Sequence, residues 1–188
     1  MRGDSRATRE RLIKAATQEF AAHGIAGGRV ERIAKAARSN KAQIYHYFGS
    51  KEALFDAVFD ALVVQATQEV TMDPTDLPGY AGRLFDGYER MPEVSRLAAW
   101  YRLERAEQHG PIRSIVDSSL DKIDAIGRAQ KEGKLPDRFS PAELLTLTLT
   151  LAATWTAQTP EYHSVARGSG YAGRRRVITD AVAALLRP

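Results

Sequence analysis

The 188 residues contain no cysteine, which excludes a disulfide framework, a thiolate metal site and a cysteine nucleophile. Long apolar runs are missing as well. No stretch reaches the roughly 18 consecutive apolar residues that a membrane-spanning helix needs, and the opening MRGDSRATRERL is charged where a signal peptide is apolar. These absences lead to the expectation of a soluble, cytoplasmic protein that does not engage a membrane. Histidine is sparse: His23, His46, His109 and His163 lie far apart, none in a His-Glu-x-x-His run. There is also no Gly-x-Ser-x-Gly elbow and no phosphate-cradling glycine loop. The acid, histidine and serine of EYHS at 161–164 fall within four consecutive residues, too close to form a triad. The sequence therefore predicts no enzyme, no metal and no cofactor.

Acidic residues are scarce in one part of the chain only. Residues 1–51 hold 11 Lys+Arg against 4 Asp+Glu, whereas residues 52–188 hold 16 against 19. A basic first third points to a polyanionic partner or to a solvated basic surface.

Apolar residues recur at helical spacing throughout. Leu12, Ile13, Ala16 and Phe20 form one stripe, which Gly24 is placed to end in the left-handed conformation. Ile33, Ala34 and Ala37 share a face of a second, short helix. After RSN comes a third, 41–48, and Ser50 can cap a longer one in which Leu54, Val58 and Leu62 recur every four residues. Further helices near 78–90, after Pro92 and after HGP at 109–111 are punctuated by proline and glycine. SPAELL at 140–145 carries a capping box with proline in the first turn. The Leu/Thr alternation that follows would by itself suggest a strand, but the cap and the length of the run favour a helix. Pro160–Gly173 reads as a polar connection before a last amphipathic helix, 174–186, whose RRR start reads as solvated. The expected fold is all-α with about nine helices. The charge shift and the change from short helices to long ones place a boundary near residue 50, between a three-helix module, 1–50, and a larger helical domain, 51–188.

Helix 41–48 carries the chemistry. At about 100° per residue, Ile44 and Phe48 point together, toward Phe20, Ile33 and Leu54. Ala42, Gln43 and His46 point the opposite way, and Tyr45 and Tyr47 flank the apolar stripe. Two turns of helix cannot bury rings all round, so Tyr45, His46 and Tyr47 should be at least partly exposed. Phenol and ammonium groups donate to phosphate oxygens, which suits Tyr45, Tyr47, Lys41 and Lys51. The Gln43 amide matches an adenine edge, and Ala42 allows close approach or meets a thymine methyl. Arg6 and Arg29 are candidates for phosphate contact or plain solvated cations.

The run IAKAARSNKAQIYHYFGSKEALFDAV resembles the DNA-binding motif of the tetracycline-repressor-like (TetR) transcription regulators, through Ile33, Ala34, Ala37, Ile44, Tyr45, Tyr47, Phe48, Lys51, Glu52 and Leu54. The resemblance covers about residues 8–60. It implies phosphate contacts by Tyr45, Tyr47 and Lys51, base or close-backbone contacts by Ala42, Gln43 and His46, and either kind by Lys41. It also implies a repressor that binds a palindromic double-stranded operator as a homodimer and is released by a small-molecule effector. The last two long helices, 141–158 and 174–186, would form the dimer interface. Phe85, Tyr88, Met91, Trp100, Tyr101, Glu104, His109 and Trp155 are the candidate ligand contacts. The turn departs from the family's usual Gly, aliphatic, Ser/Thr. Arg38 falls where glycine takes a left-handed conformation, at about 1 kcal/mol to a side-chain-bearing residue, Ser39 replaces an apolar plug, and Asn40 can serve as the cap. The usual threonine cap of the second helix is replaced within AGGRV. A second reading from the residues is a helical small-molecule-binding or scaffold protein whose basic module meets an acidic protein partner.

Overall fold

Every regular element in the computed structural model, which describes residues 2–104, 111–165 and 170–187, is helical. The order is α1 (Arg2–Gly27), α2 (Val30–Ala36), α3 (Lys41–Phe48), α4 (Lys51–Glu69), α5 (Leu77–Arg90), α6 (Pro92–Glu104), α7 (Arg113–Lys131), α8 (Pro141–Ala152), α9 (Pro160–Val165) and α10 (Tyr171–Leu185). Single 3-10 turns lie at Pro74–Asp76 and Thr154–Ala157. The all-α expectation holds, with ten α-helices among the described residues. The unexpected one is α9, inside the stretch read as a connection. Thr159 opens it, its hydroxyl accepting from the Tyr162 N–H at 3.3 Å.

The starts of several helices are written in their capping residues. Ser50 Oγ accepts from the Ala53 N–H at 3.0 Å at the head of α4. Ser140 and Glu143 complete the capping box of α8, each side chain accepting from the other's backbone N–H. The Leu/Thr alternation there resolves as helix for a physical reason. Thr146 and Thr148 donate to the carbonyls of Ala142 and Leu144, each at 2.8 Å, an i−4 bond that only a helix offers. The helix stops at Ala152, earlier than the expected 158, and continues as the 3-10 turn.

The chain packs as two units, Met1–Gln65 with Pro92–Ile115, and Ala66–Met91 with Val116–Pro188. This packing division does not coincide with the functional boundary expected at residue 50. Leu54, Phe55 and Val58 of α4 and Leu97 of α6 share one core with Leu12, Ala16, Phe20, Ile33 and Ile44. Each such buried Leu, Ile or Phe contributes about 1.5–3 kcal/mol. Phe20 and Phe55 meet edge-on at 5.4 Å, and Phe55, Phe59 and Tyr101 continue as a stack. The second unit has its own core of Leu77, Ala81, Phe85, Ile126, Ala129, Leu144, Leu145, Ile178 and Val182. There α10 is tied to α5 by paired charges. Arg175 Nε donates to both oxygens of Asp86 at 3.0 and 3.1 Å, and Arg174 grips Glu89 at 2.8 and 3.2 Å. The RRR segment is thus only partly solvated, because two of its three arginines have carboxylate partners.

Gly24 interrupts α1 as expected, although not with left-handed helical angles. Its φ of 72° and ψ of −177° belong to a region essentially restricted to glycine. A Cβ at this position would stand 2.5 Å from Glu104 Oε1 and 2.9 Å from the Trp100 ring. Gly24→Ala should therefore destabilise the first unit by about 1–3 kcal/mol, read as a lower midpoint in urea unfolding.

Candidate DNA-binding site

The first unit presents α2, a turn and α3 in the arrangement of a helix-turn-helix. Ile33, Ala34, Ala37 and Ile44 are buried against α1 and α4, with Ile33 and Ile44 fully so. Arg29 at the head of α2 provides no side-chain cap, in keeping with the missing threonine. Its N–H instead donates to Glu19 Oε1 at 2.9 Å, and Arg32 Nε reaches the same oxygen at 2.8 Å. A carboxylate from α1 therefore holds the start of α2, which sequence reading did not find. Arg11, also on α1, reaches the far end through Nε to the Ala37 carbonyl at 3.4 Å.

Arg38 stands at φ 51°, alone among the described non-glycine residues in having positive φ. The turn thus imposes the left-handed conformation on an arginine, as its place in the motif predicts. Asn40 then caps α3, its Oδ1 accepting from the Gln43 N–H at 2.9 Å. Ser39 hydrogen-bonds the Gln43 side-chain amide oxygen, so the turn also orients the side chain expected to read a base. A glutamine held by its oxygen keeps its NH₂ donors free.

On α3, Lys41, Ala42, Gln43, Tyr45 and His46 are exposed, and Tyr47 and Phe48 are half-buried. Tyr45 is 47% exposed while Ile44 beside it is fully buried, so the rings divide by direction as the wheel requires. Two of the cations have protein partners. Lys41 Nζ lies 2.6 Å from Glu31 Oε1, and its hydrogen bond to Glu31 raises the Lys41 pKa and lowers that of Glu31. Lys51 Nζ lies 3.3 Å from the Ala26 carbonyl and 3.4 Å from that of Gly28. An ammonium has three donors, so Lys51 braces the end of α1 with a donor still available. The Tyr47 hydroxyl donates to Ser5 Oγ at 3.1 Å, and Arg9 lies over the Phe48 ring, 5.4 Å from its centroid. The helical phase of residues 5 and 9 on α1 was the only sequence signal for these two contacts.

The expected ligand residues fall in both units. In the first, Trp100 packs over Gly24, Tyr101 stacks on Phe59 at 5.1 Å, and Glu104 Oε2 accepts from the Ala26 N–H at 2.7 Å. These three brace α1 and α4. In the second, Phe85 is fully buried in the core, and Tyr88 and Trp155 pack against it. Desolvation pushes the Tyr88 phenol above its ordinary range and that of Tyr80 to about 12. Trp155 Nε1 is buried with no hydrogen-bond partner among the described residues. Met91 lines an open concavity of about 430 Å³ together with Glu69 and Arg90. His109 lies outside the described residues. Sequence reading also missed Lys122, half-buried on α7, which donates to the Ser118 carbonyl at 3.1 Å. Burial lowers its pKa.

Residues 12–58 match the family model described as bacterial regulatory proteins, tetR family, and residues 76–183 match the tetracyclin repressor-like C-terminal domain. The chain is 35% identical over 171 residues to the HTH-type transcriptional repressor SCO4008 of Streptomyces coelicolor, spanning 90% of this chain and 88% of that protein. It is 38% identical over 106 residues to the HTH-type transcriptional repressor NicS of Pseudomonas putida, spanning 52% and 50% of the two chains. The crystal structure of the S. coelicolor transcriptional regulator SCO4942 superposes with a TM-score of 0.85 at 39% identity, covering 96% of this chain and 99% of that one. These matches define a helix-turn-helix transcription regulator, a class of protein that is not enzymatic. The chain belongs to the TetR family.

The backbone at Arg38 supplies a direct test of the turn. Arg38→Gly relieves the left-handed conformation and should stabilise the protein by about 1 kcal/mol, or roughly 2–4 °C in Tm. Thermal unfolding followed by circular dichroism reads the shift.

Proposed function

We propose that the protein is a homodimeric repressor that binds a palindromic operator and is released by a small-molecule effector. The observation that carries the DNA half is the division of α3. Ile44 is fully buried, while Ala42, Gln43 and His46 lie exposed on the opposite side with the amide of Gln43 held from behind by the turn. Such a helix enters a major groove with its polar face toward base edges, and the half-sites lie about one helical turn apart or a multiple of it. Ala42, Gln43 and His46 meet bases or close backbone. Tyr45, Tyr47, Lys41 and Lys51 serve the phosphates, Tyr45 and Lys51 by direct contact. Lys41 exchanges Glu31 for a phosphate, because an exposed ion pair contributes little.

Dimerisation through α8 and α10 is supported by the apolar side chains that α10 leaves exposed, Val177 and Tyr171. Effector binding by the second unit is supported by the buried Trp155 Nε1, which has no hydrogen-bond partner among the described residues, and by the aromatic area of Tyr88 and Trp155 against the core. Ligand sites combine aromatic area with a few donors of this kind. An effector that prefers the non-binding conformation lowers DNA affinity reciprocally. The names of the relatives support repression over activation.

The test is selection of duplexes from a random pool by the purified protein. A recovered palindrome is the expected result, and recovery of no enriched site contradicts the proposal. On the recovered site, Gln43→Ala should relax preference at one position, worth about 1–3 kcal/mol. Tyr45→Phe should instead weaken binding to all sequences alike. Quantitative binding to the site and to its single-base variants separates the two outcomes.

A further inference from the structure

We propose that Gln43 reads guanine through the N–H donors of its amide, and that Ser39 is the positioning residue that sets this choice by holding the amide oxygen away from the base. The proposal rests on the DNA-binding reading of α3 and deepens it, since it changes the base expected of Gln43 from adenine to guanine.

The backbone of the turn fixes Ser39 where it can do this. With Arg38 at φ 51°, α2 ends in a Schellman motif. The Arg38 N–H donates to the Lys35 carbonyl at 3.2 Å, and the Ser39 N–H donates to that of Ala34 at 2.9 Å. Such a motif is frequently completed by an apolar side chain at the position that Ser39 occupies, packed on the last turns of the helix. Here that position carries a half-buried hydroxyl instead, and the hydroxyl donates to Gln43 Oε1. Asn40 meanwhile accepts from the Gln43 backbone N–H at 2.9 Å. Two successive turn residues thus converge on one glutamine, one on its side chain and one on its main chain. Gln43 is itself exposed, and its Nε2 makes no hydrogen bond among the described residues.

The chemistry of the amide then decides the base. A glutamine pairs with adenine by using both ends at once, its oxygen accepting from N6 and its nitrogen donating to N7. An oxygen held by the turn forfeits the first of these bonds and leaves the adenine N6 donors facing further donors. What remains toward the groove is a nitrogen with two N–H groups. Guanine is the base whose major-groove edge offers two acceptors, N7 and O6. Thymine offers O4 alone, and cytosine offers a donor. The bond received at the oxygen also polarises the amide, which strengthens its N–H donors. Adenine pairing is thus the property of an unheld glutamine, and guanine pairing that of one held by Ser39.

The position whose preference Gln43→Ala relaxes on a selected duplex identifies the base pair concerned. Full-length wild-type protein should bind duplexes with guanine there about tenfold or more tighter than those with adenine. Replacing that guanine by 7-deazaguanine, which lacks N7, should remove part of the advantage. Threonine and valine have nearly the same shape and differ by the hydroxyl. Ser39→Thr should therefore keep the guanine preference, and Ser39→Val should abolish it or turn it toward adenine. Ser39→Ala, read by the same guanine-to-adenine ratio, serves if the valine variant does not fold. A wild-type preference for any base other than guanine overturns the proposal, and one for adenine or cytosine would show that the amide oxygen faces the groove. An unchanged ratio in the variants without a hydroxyl overturns it as well. Both results leave the reading of α3 standing. If Gln43→Ala relaxes no position, that reading falls, and this proposal with it.

Discussion

The bend of α1 between Gly24 and Gly28 is held from both sides of its peptide chain, and the DNA-binding module is built on that restraint. From one side the Lys51 ammonium approaches the carbonyls of Ala26 and Gly28, and from the other the Glu104 carboxylate accepts the Ala26 N–H. Helix ends leave such groups unsatisfied, so an opposite charge on each side is the natural completion. Gly24 makes room for the Trp100 ring, and Glu19 takes over the start of α2. One segment thus contacts α2, α4 and α6, which share with Ile44 of α3 a single core. The residues proposed from sequence as ligand contacts, Trp100 and Glu104, have packing and capping work in this junction.

The recognition helix is short, and its amphipathic division does what its length cannot. Two turns are marginal as an isolated helix, so stability comes from Ile44 in the core, the Asn40 cap and the contacts of Tyr47 and Phe48 with α1. With the core face committed, the remaining positions are open to solvent. The same turn that strains Arg38 orients Gln43 through Ser39, so a local conformational cost of about 1 kcal/mol accompanies a preorganised side chain.

Much of this was legible in the sequence, because the signals were local. The period of the apolar residues gives the helices, and Ser50, Asn40 and the Ser140/Glu143 pair give starts that need only neighbours in the chain. Arg38 could be assigned its backbone angle from its place in the motif. The Leu/Thr alternation of α8 was ambiguous until the i−4 bonds of Thr146 and Thr148 decided it. Contacts between distant residues were not legible. Nothing in a one-dimensional pattern says that Glu19 serves Arg29, that Lys51 turns toward the end of α1, or that Arg174 and Arg175 meet Glu89 and Asp86. For the same reason the ligand set was the weakest reading. An aromatic residue at helical spacing looks alike whether it braces a neighbour, as Tyr101 does, or borders a core with a spare donor, as Trp155 does.

The central claim is that α3 meets DNA in the major groove with its Gln43 and His46 side toward the bases. Dimethyl sulfate footprinting on a selected duplex addresses it directly, since the reagent methylates guanine N7 in the major groove and adenine N3 in the minor groove. The account predicts protected guanine N7 positions in two patches separated by about one helical turn or a multiple, with adenine N3 between them still reactive. Protection confined to adenine N3, or no protection under conditions where the protein is bound, would contradict it.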